Sequence, residues 1–126
     1  MNVRDLQIRL REFAKERDWE QFHSPKNLAA ALAVEAAELL EPFQWMKEEE
    51  SRRLADSPHD YQRVREEIAD VQIYLLRLAD QLQIDLAEAV EQKLAHNAEK
   101  YPVDLSKGTS LKYDRLAARS SHDSES

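Results

Sequence analysis

Two glutamates interrupt the most apolar stretch of this chain, the segment NLAAALAVEAAELL at residues 27–40. On a helix with about 3.6 residues per turn, Glu35 shares one stripe with Leu32 and Leu39. Glu38 lies on the flank of that stripe, one turn beyond Glu35. Burying an unpaired ionised carboxylate costs several kcal/mol. The fold must therefore bring a cation, a proton or a hydrogen-bond network to this stretch.

A second acidic pair, Glu67 and Asp70, repeats the arrangement in the segment REEIADVQIYLLRL. Acidic residues three apart are common on solvated helices, so one pair alone would indicate little. Here both pairs lie in or beside an apolar stripe, and two helices can aim them at one point. Four oxygen donors without histidine or cysteine favour Mg²⁺, with Mn²⁺ as the other candidate. The sequence therefore predicts a metal site formed by Glu35, Glu38, Glu67 and Asp70.

The composition favours an all-α fold of one domain. One glycine and four prolines in 126 residues leave little material for hairpins, whereas helix-forming residues dominate. Asn2, Ser24 and Ser57 are predicted N-caps, and a proline follows each serine at the first helical position. The predicted long helices are residues 2–18, 25–41, 58–81 and 86–101. We expect residues 1–105 to form the helical domain, and residues 106–126 to form a C-terminal extension that is disordered toward its end.

The net charge and the cysteine count argue against several classes of protein. A net charge of −7 without clustered Lys and Arg argues against a nucleic-acid partner. No apolar run approaches the roughly 20 residues that span a bilayer, so no membrane association is expected. The absence of cysteine suits a reducing compartment, and we expect the cytoplasm.

Aromatic side chains concentrate in the two connections that flank the second predicted helix. Trp19 and His23 lie in the segment before it, and Trp45 lies in the segment after it. These three rings are candidates to sandwich a flat ring of a ligand. In the alternative interpretation, Trp19 and Phe22 only cover the end of a helix, because large aromatics usually serve packing first.

The fourth predicted helix carries polar side chains where a plain bundle would have leucine. Lys93, Asn97 and Tyr101 share one otherwise apolar face. Lys93 and Asn97, with Lys100, are candidates to meet phosphate oxygens. Taken singly, Lys93 could extend its ammonium to water, and Asn97 could bond a helix end. Together with a metal site and ring platforms, they describe a site for a nucleoside polyphosphate.

These motifs resemble those of the MazG-like nucleotide pyrophosphohydrolases, and especially their dCTP pyrophosphatase branch. The resemblance covers residues 3–116. The segments that carry it are ERDWEQFH at 16–23, PKNL at 25–28, Glu35-x-x-Glu38, FQW at 43–45, Glu67-x-x-Asp70 with Tyr74, YP at 101–102 and LKY at 111–113. One departure is Leu10, which stands where vertebrate members of that branch have a histidine.

The resemblance implies a four-helix MazG-like bundle, assembled as a homodimer or as a homotetramer, with active sites between subunits. It implies hydrolysis of a nucleoside triphosphate of the dCTP type to the monophosphate and pyrophosphate. The implied Mg²⁺ ligands are Glu35, Glu38, Glu67 and Asp70. The implied base-pocket aromatics are Trp19 and Trp45, with His23 and Tyr74 nearby as further substrate-binding residues. The implied phosphate and sugar contacts are Lys93, Asn97, Lys100 and Tyr101.

Such a hydrolysis needs a water that attacks the α-phosphorus while metal ions neutralise the charge moving onto pyrophosphate. A carboxylate takes a proton from that water. Glu38 is the first candidate for this base because it lies further than Glu35 from the centre of the stripe, and Glu35 is the second catalytic candidate.

Two other kinds of protein stay open as alternatives. A non-enzymatic helical interaction module would use the carboxylates to pair with basic residues of a partner. A di-iron bundle would need paired Glu-x-x-His motifs, and Glu20 to His23 has that spacing only once.

Overall fold

The computed structural model describes residues 1–109, and within that range the chain is helical without any strand. The predicted all-α class is therefore confirmed. In chain order the helices are α1 (Val3–Glu16), α2 (Pro25–Leu40), the short α3 (Glu48–Arg52), α4 (Pro58–Gln81), α5 (Leu86–Lys100) and the short α6 (Val103–Ser106). Single 3₁₀ turns lie at Glu20–Phe22, Glu41–Phe43 and Leu54–Asp56. The four long helices correspond to the four predicted ones.

The predicted N-caps differ in whether their side chains bond the helix. The Asn2 side chain accepts a hydrogen bond from the Asp5 amide at 3.0 Å. Ser24 Oγ likewise accepts one from the Asn27 amide at 3.2 Å. Ser57 is the N-cap residue of α4 and Pro58 opens that helix, as predicted, but the Ser57 side chain makes no capping hydrogen bond. The backbone also differs: Ser57 has a φ of −115° and a ψ of 88°, whereas Ser24 has −64° and 153°.

The end of α1 is set by a left-handed residue, which also positions the first tryptophan. Asp18 has a φ of 54°, and its amide donates to the Lys15 carbonyl at 3.1 Å. The Trp19 amide donates to the Ala14 carbonyl at 2.9 Å. These two bonds form a Schellman-type stop. The helix therefore ends at Glu16, two residues before the predicted end, and the chain turns back with Trp19 against the helix.

Helix α4 is the central element of a compact unit, Met1–Asp85, in which it packs against α2 and α1. The Gln7 side chain donates to the Leu76 carbonyl at 3.1 Å, a buried bond between α1 and α4. The buried apolar side chains of this unit are Ala14, Leu28, Val64, Leu76 and Ala79.

A buried aspartate also ties α1 to α4. The Asp80 carboxylate accepts two hydrogen bonds from Arg11, at 2.6 and 2.5 Å, and one from Arg4 at 3.4 Å. The hydrogen bond from Arg11 is the main cause that lowers the pKa of Asp80 below its ordinary value. Asp80 is therefore ionised at neutral pH and acts as an anchor for the arginines around it.

A second compact unit begins at Leu86 and, among the described residues, contains α5 and α6. The predicted domain limit at residue 105 stays a prediction. The LKY motif at 111–113 and the expected disorder toward the C-terminus lie outside the described residues. No helix within residues 1–109 is long and apolar enough to cross a bilayer.

Candidate functional site

Three carboxylates from two helices meet where α2 packs against α4. Glu35 and Glu38 come from α2 and Glu67 comes from α4, and one oxygen of each lies within 4.8 Å of the others. Glu35 Oε2 and Glu67 Oε2 are buried, and neither has a hydrogen-bond partner among the described residues. The packing of α2 against α4 thus brings acids from separate parts of the sequence to one point.

Asp70 lies beside this carboxylate cluster rather than within it. It lines the adjoining pocket together with Glu35, and its negative charge acts on Glu35. The structure therefore gathers three of the four predicted metal ligands and places the fourth next to them. The assignment of Asp70 as a ligand stays a prediction.

Burial and the neighbouring carboxyl groups change the acidity of Glu35. Burial is the largest cause, followed by side-chain hydrogen bonds with Glu38 and Glu67 and by the negative charges of Glu38 and Asp70. Together they raise the pKa of Glu35 from 4.5 to about 7. At neutral pH and without a cation, a substantial fraction of the molecules therefore carries a proton on Glu35.

The chemistry of the cluster fits a hard divalent cation. All three side chains offer carboxylate oxygens, the donors that Mg²⁺ and Mn²⁺ prefer. Two of those oxygens are buried without a partner, which costs free energy unless a cation or a proton satisfies them. The structure thus contains a carboxylate cluster that is able to hold a metal ion.

A pocket of about 280 Å³ opens beside the carboxylates. Glu35 and Asp70 form its acidic side, whereas most of its wall is apolar or aromatic. A largely apolar cavity with a few polar groups is typical of sites for small ligands. This wall includes Leu10, Phe13, Trp19, His23, Ile73 and Tyr74.

Trp19 covers a helix end and also lines the pocket. Its ring meets Phe13 edge to face, with ring centroids 5.7 Å apart and an interplanar angle of 67°, so it does cover the end of α1. It also lines the pocket, and 43% of its surface stays exposed. The packing interpretation and the binding interpretation are therefore compatible.

His23 is positioned at the pocket by one hydrogen bond to its ring and by another to the residue before it. The Asn27 side chain donates to the Phe22 carbonyl at 3.1 Å, which ties the preceding turn to the start of α2. Arg77 Nε, on α4, donates to His23 Nδ1 at 3.2 Å. Burial and the charge of Arg77 lower the pKa of His23, so its ring is neutral at pH 7.

Trp45 does not line the pocket within one chain, and 88% of its surface is exposed. Of the three rings predicted to form a sandwich, Trp19 and His23 meet, with centroids 6.4 Å apart. The role of Trp45 in binding a base stays a prediction.

The predicted phosphate contacts belong to the second compact unit. Lys93, Asn97 and Lys100 lie on α5, and Tyr101 follows its last residue. Residues three or four apart share one face of a helix, so the first three residues project from the same side of α5. Their contact with phosphate stays a prediction.

Sequence reasoning missed Arg77 and Asp80. Arg77 lies seven residues after Asp70 and three after Tyr74, which places it on the same flank of α4. Asp80 follows it by three residues on that flank. Two opposite charges inside the apolar run IYLLRLADQL could have identified the pair.

The fold and the site together define a class: an all-helical protein in which two acidic helices place carboxylates beside a ring pocket. The sequence matches the profile of the MazG-like family over residues 30–116. The chain belongs to that family, and the resemblance inferred from its motifs is thereby confirmed.

Similar proteins include two vertebrate enzymes and one of known structure. The dCTP pyrophosphatase 1 of Bos taurus is 49% identical over 105 residues, which cover 83% of this chain and 62% of that protein. The dCTP pyrophosphatase 1 of Homo sapiens is 46% identical over the same shares. A solved pyrophosphatase from Archaeoglobus fulgidus matches with a TM-score of 0.72 and 43% identity, over 81% of this chain and 94% of that one. The chain thus spans about 62% of the length of these curated relatives.

Proposed function

We propose that this chain is a Mg²⁺-dependent nucleoside triphosphate pyrophosphohydrolase that converts dCTP, or a modified dCTP, to the monophosphate and pyrophosphate. The observation that carries the proposal is the carboxylate cluster at the edge of a largely apolar ring pocket. The cluster suits a cation that bridges to phosphates, and the pocket suits a base. The names of the similar proteins, dCTP pyrophosphatase 1 and a pyrophosphatase, support the same reaction. Such an enzyme would remove unwanted nucleotides from the cytoplasmic pool.

In this proposal Glu35, Glu38 and Glu67 hold the Mg²⁺, with Asp70 as a further ligand. A bound divalent cation supplies positive charge to the phosphates and to the departing pyrophosphate. Glu38 takes a proton from the attacking water. Glu35 suits a fixed ligand better than a base, because one of its oxygens is already buried without a partner.

We also propose that the active form is a homodimer or a homotetramer. Val34, Leu40 and Ile68 are large apolar side chains of α2 and α4 that a single chain leaves exposed. Exposed apolar surface of this kind favours packing on a second copy. A second copy could also bring its Trp45 to the pocket and complete the ring sandwich.

The test of this function is pyrophosphate release from canonical and modified ribo- and deoxyribonucleoside triphosphates, measured with Mg²⁺ and with a chelator. We expect turnover that the chelator abolishes and that is fastest with deoxycytidine-type substrates. Absence of turnover with every triphosphate would instead favour the helical interaction module.

Replacing Trp45 by alanine should weaken base binding while leaving the fold intact, because the ring is almost fully exposed in one chain. Stacking on an aromatic ring is worth about 1–3 kcal/mol per base, so KM for the preferred triphosphate should rise roughly tenfold or more. The affinity for inorganic pyrophosphate, which has no base, should stay within experimental error. An equal loss of both affinities would contradict a base contact at Trp45.

A further inference from the structure

Arg77 and His23 line a pocket whose other side chains are apolar, aromatic or acidic. Arg77 is only 4% exposed, so its charge must be paired or hydrogen-bonded to be tolerated there. Its observed partners are His23 Nδ1, which accepts a hydrogen bond from Nε at 3.2 Å, and Asp80, with Nη1 and Oδ2 3.7 Å apart. Arg77 is therefore a fixed part of the pocket lining and not a solvated surface charge.

The bond from Arg77 determines which nitrogen of His23 carries the proton. A guanidinium can only donate, so Nδ1 must be the unprotonated nitrogen. In the neutral ring the proton then sits on Nε2, and Nε2–H is the donor that His23 offers to a ligand. The doubly protonated ring is disfavoured because it would set one N–H against another.

Asp80 leaves much of the charge of Arg77 uncompensated. Its carboxylate already accepts hydrogen bonds from Arg11 and Arg4, so one negative charge serves three guanidiniums. Among residues 1–109, the hydrogen bond that Arg77 donates comes from Nε, and its contact through a terminal nitrogen is the longer one to Asp80. The terminal N–H groups remain available to an acceptor on a ligand.

We propose that Arg77 and His23 read the edge of the bound base and select a pyrimidine that presents two adjacent acceptors, the carbonyl oxygen O2 and an unprotonated ring nitrogen N3. This inference rests on the proposed nucleotide function, and it assigns base choice to particular residues. Cytosine has both acceptors, whereas uracil and thymine carry a proton on N3. That proton would face the donors of the pocket and leave a buried polar group without a partner.

The surroundings of Arg77 favour the base over a phosphate as its ligand. Phosphates belong near the carboxylate cluster, where a cation can bridge the two sets of oxygens. Asp70 and Arg77 are about two helical turns apart on α4, and the rest of the pocket is lined mainly by rings and aliphatic groups, among them Phe13, Trp19 and Ile73. Such a wall packs against the faces of a flat ring and leaves its edge to Arg77 and His23.

The variant that tests this inference is Arg77→Met, which removes every donor while keeping an unbranched side chain on α4. Dissociation constants are measured by calorimetry, with Ca²⁺ in place of Mg²⁺ to suppress turnover, for dCTP, dUTP and the triphosphate of the pyrimidin-2-one deoxynucleoside. The last of these keeps O2 and N3 but lacks the 4-amino group. We expect the unmodified protein to bind dCTP and the pyrimidin-2-one analogue roughly tenfold or more tightly than dUTP. In Arg77→Met the three constants should converge.

The matched control is Arg4→Met, which removes another guanidinium from the same Asp80 carboxylate but does not touch the pocket. It should keep the ranking of the three triphosphates.

Two variants of His23 test the same inference in case Arg77→Met misfolds. His23→Gln can still accept from Arg77 and donate at the position of Nε2, so it should preserve the ranking. His23→Asn is too short to do both and should lose it.

Nitrogen NMR of the His23 ring reports its tautomer, which would not change if Arg77 had only a structural role. The protein should show the Nε2–H tautomer, and Arg77→Met should show a mixture of tautomers.

If the protein binds none of the three triphosphates, the nucleotide function fails and this inference fails with it. If it binds them but Arg77→Met keeps the ranking, only the inference is overturned. Equal weakening of all three triphosphates and of inorganic pyrophosphate would make Arg77 a phosphate contact and would also overturn it.

Discussion

Replacing Glu38 by glutamine is expected to abolish hydrolysis while the protein stays folded. The amide keeps the shape of the side chain but loses the negative charge needed to hold a cation or to accept a proton. General-base catalysis alone contributes about 100- to 10,000-fold, so kcat should fall by at least about 100-fold. Because Glu38 adds to the crowding of negative charge around Glu35, its neutralisation should not lower the melting temperature in a chelator.

The control for this variant is Glu41→Gln, one turn further along the chain. Glu41 accepts a hydrogen bond from Arg63 at 3.0 Å in an exposed ion pair, and it has no part in the cluster. Exposed pairs contribute about 0–1 kcal/mol, so this variant should keep both its stability and its turnover. The comparison uses steady-state pyrophosphate release beside circular dichroism. Unchanged turnover in a folded Glu38→Gln would remove Glu38 from the site.

The parts of the fold and the site that could be predicted depend on local spacing. Asn2 and Ser24 identify helix starts because a cap acts within three residues. The carboxylate pairs could be found because an amphipathic helix places apolar residues on one stripe. An acidic residue in or beside that stripe departs from this pattern. Two such breaks, near Glu35 and Glu67, were enough to infer that α2 and α4 face each other.

The parts that could not be predicted depend on contacts between distant residues. The bond from Arg77 to His23 joins residues 54 positions apart, and the bond from Arg11 to Asp80 joins residues 69 apart. No period in the sequence encodes such a pairing. The apolar run around Arg77 and Asp80 could mark the two charges as unusual, but only the fold shows that both are buried and which partners they take.

The second large effect is expected for Glu35→Gln. This variant should lose the metal site, but in the absence of metal it should be more stable than the unmodified protein. In the absence of a cation, Glu35 is a partly buried carboxylate with three acidic neighbours. Glutamine of the same shape carries no charge, so it removes a repulsion that the native fold otherwise has to tolerate. In a chelator above neutral pH, the melting temperature of Glu35→Gln should therefore exceed that of the unmodified protein.

The pH dependence of this difference follows from the raised pKa of Glu35. Because the folded state holds the proton up to about pH 7 and the unfolded state only to about 4.5, protonation contributes stability in full below pH 4.5. That contribution is lost as the pH rises through about 7. Glutamine has no proton to lose. In a chelator the two melting curves should thus lie close together near pH 5 and separate toward pH 8.

Magnesium should reverse the order of the two proteins. A cation that binds only the folded state adds about 2.7 kcal/mol of stability when its concentration is about 100 times its Kd, a shift of several degrees in Tm. The unmodified protein should show this gain most strongly near pH 8, where Glu35 is ionised, and Glu35→Gln should lose most of it. The measurement is differential scanning calorimetry from about pH 5 to pH 8, with Mg²⁺ and with a chelator. Equal gains from Mg²⁺ in both proteins would show that Glu35 does not hold the cation, because the carboxylate that was removed would then have contributed nothing to its binding.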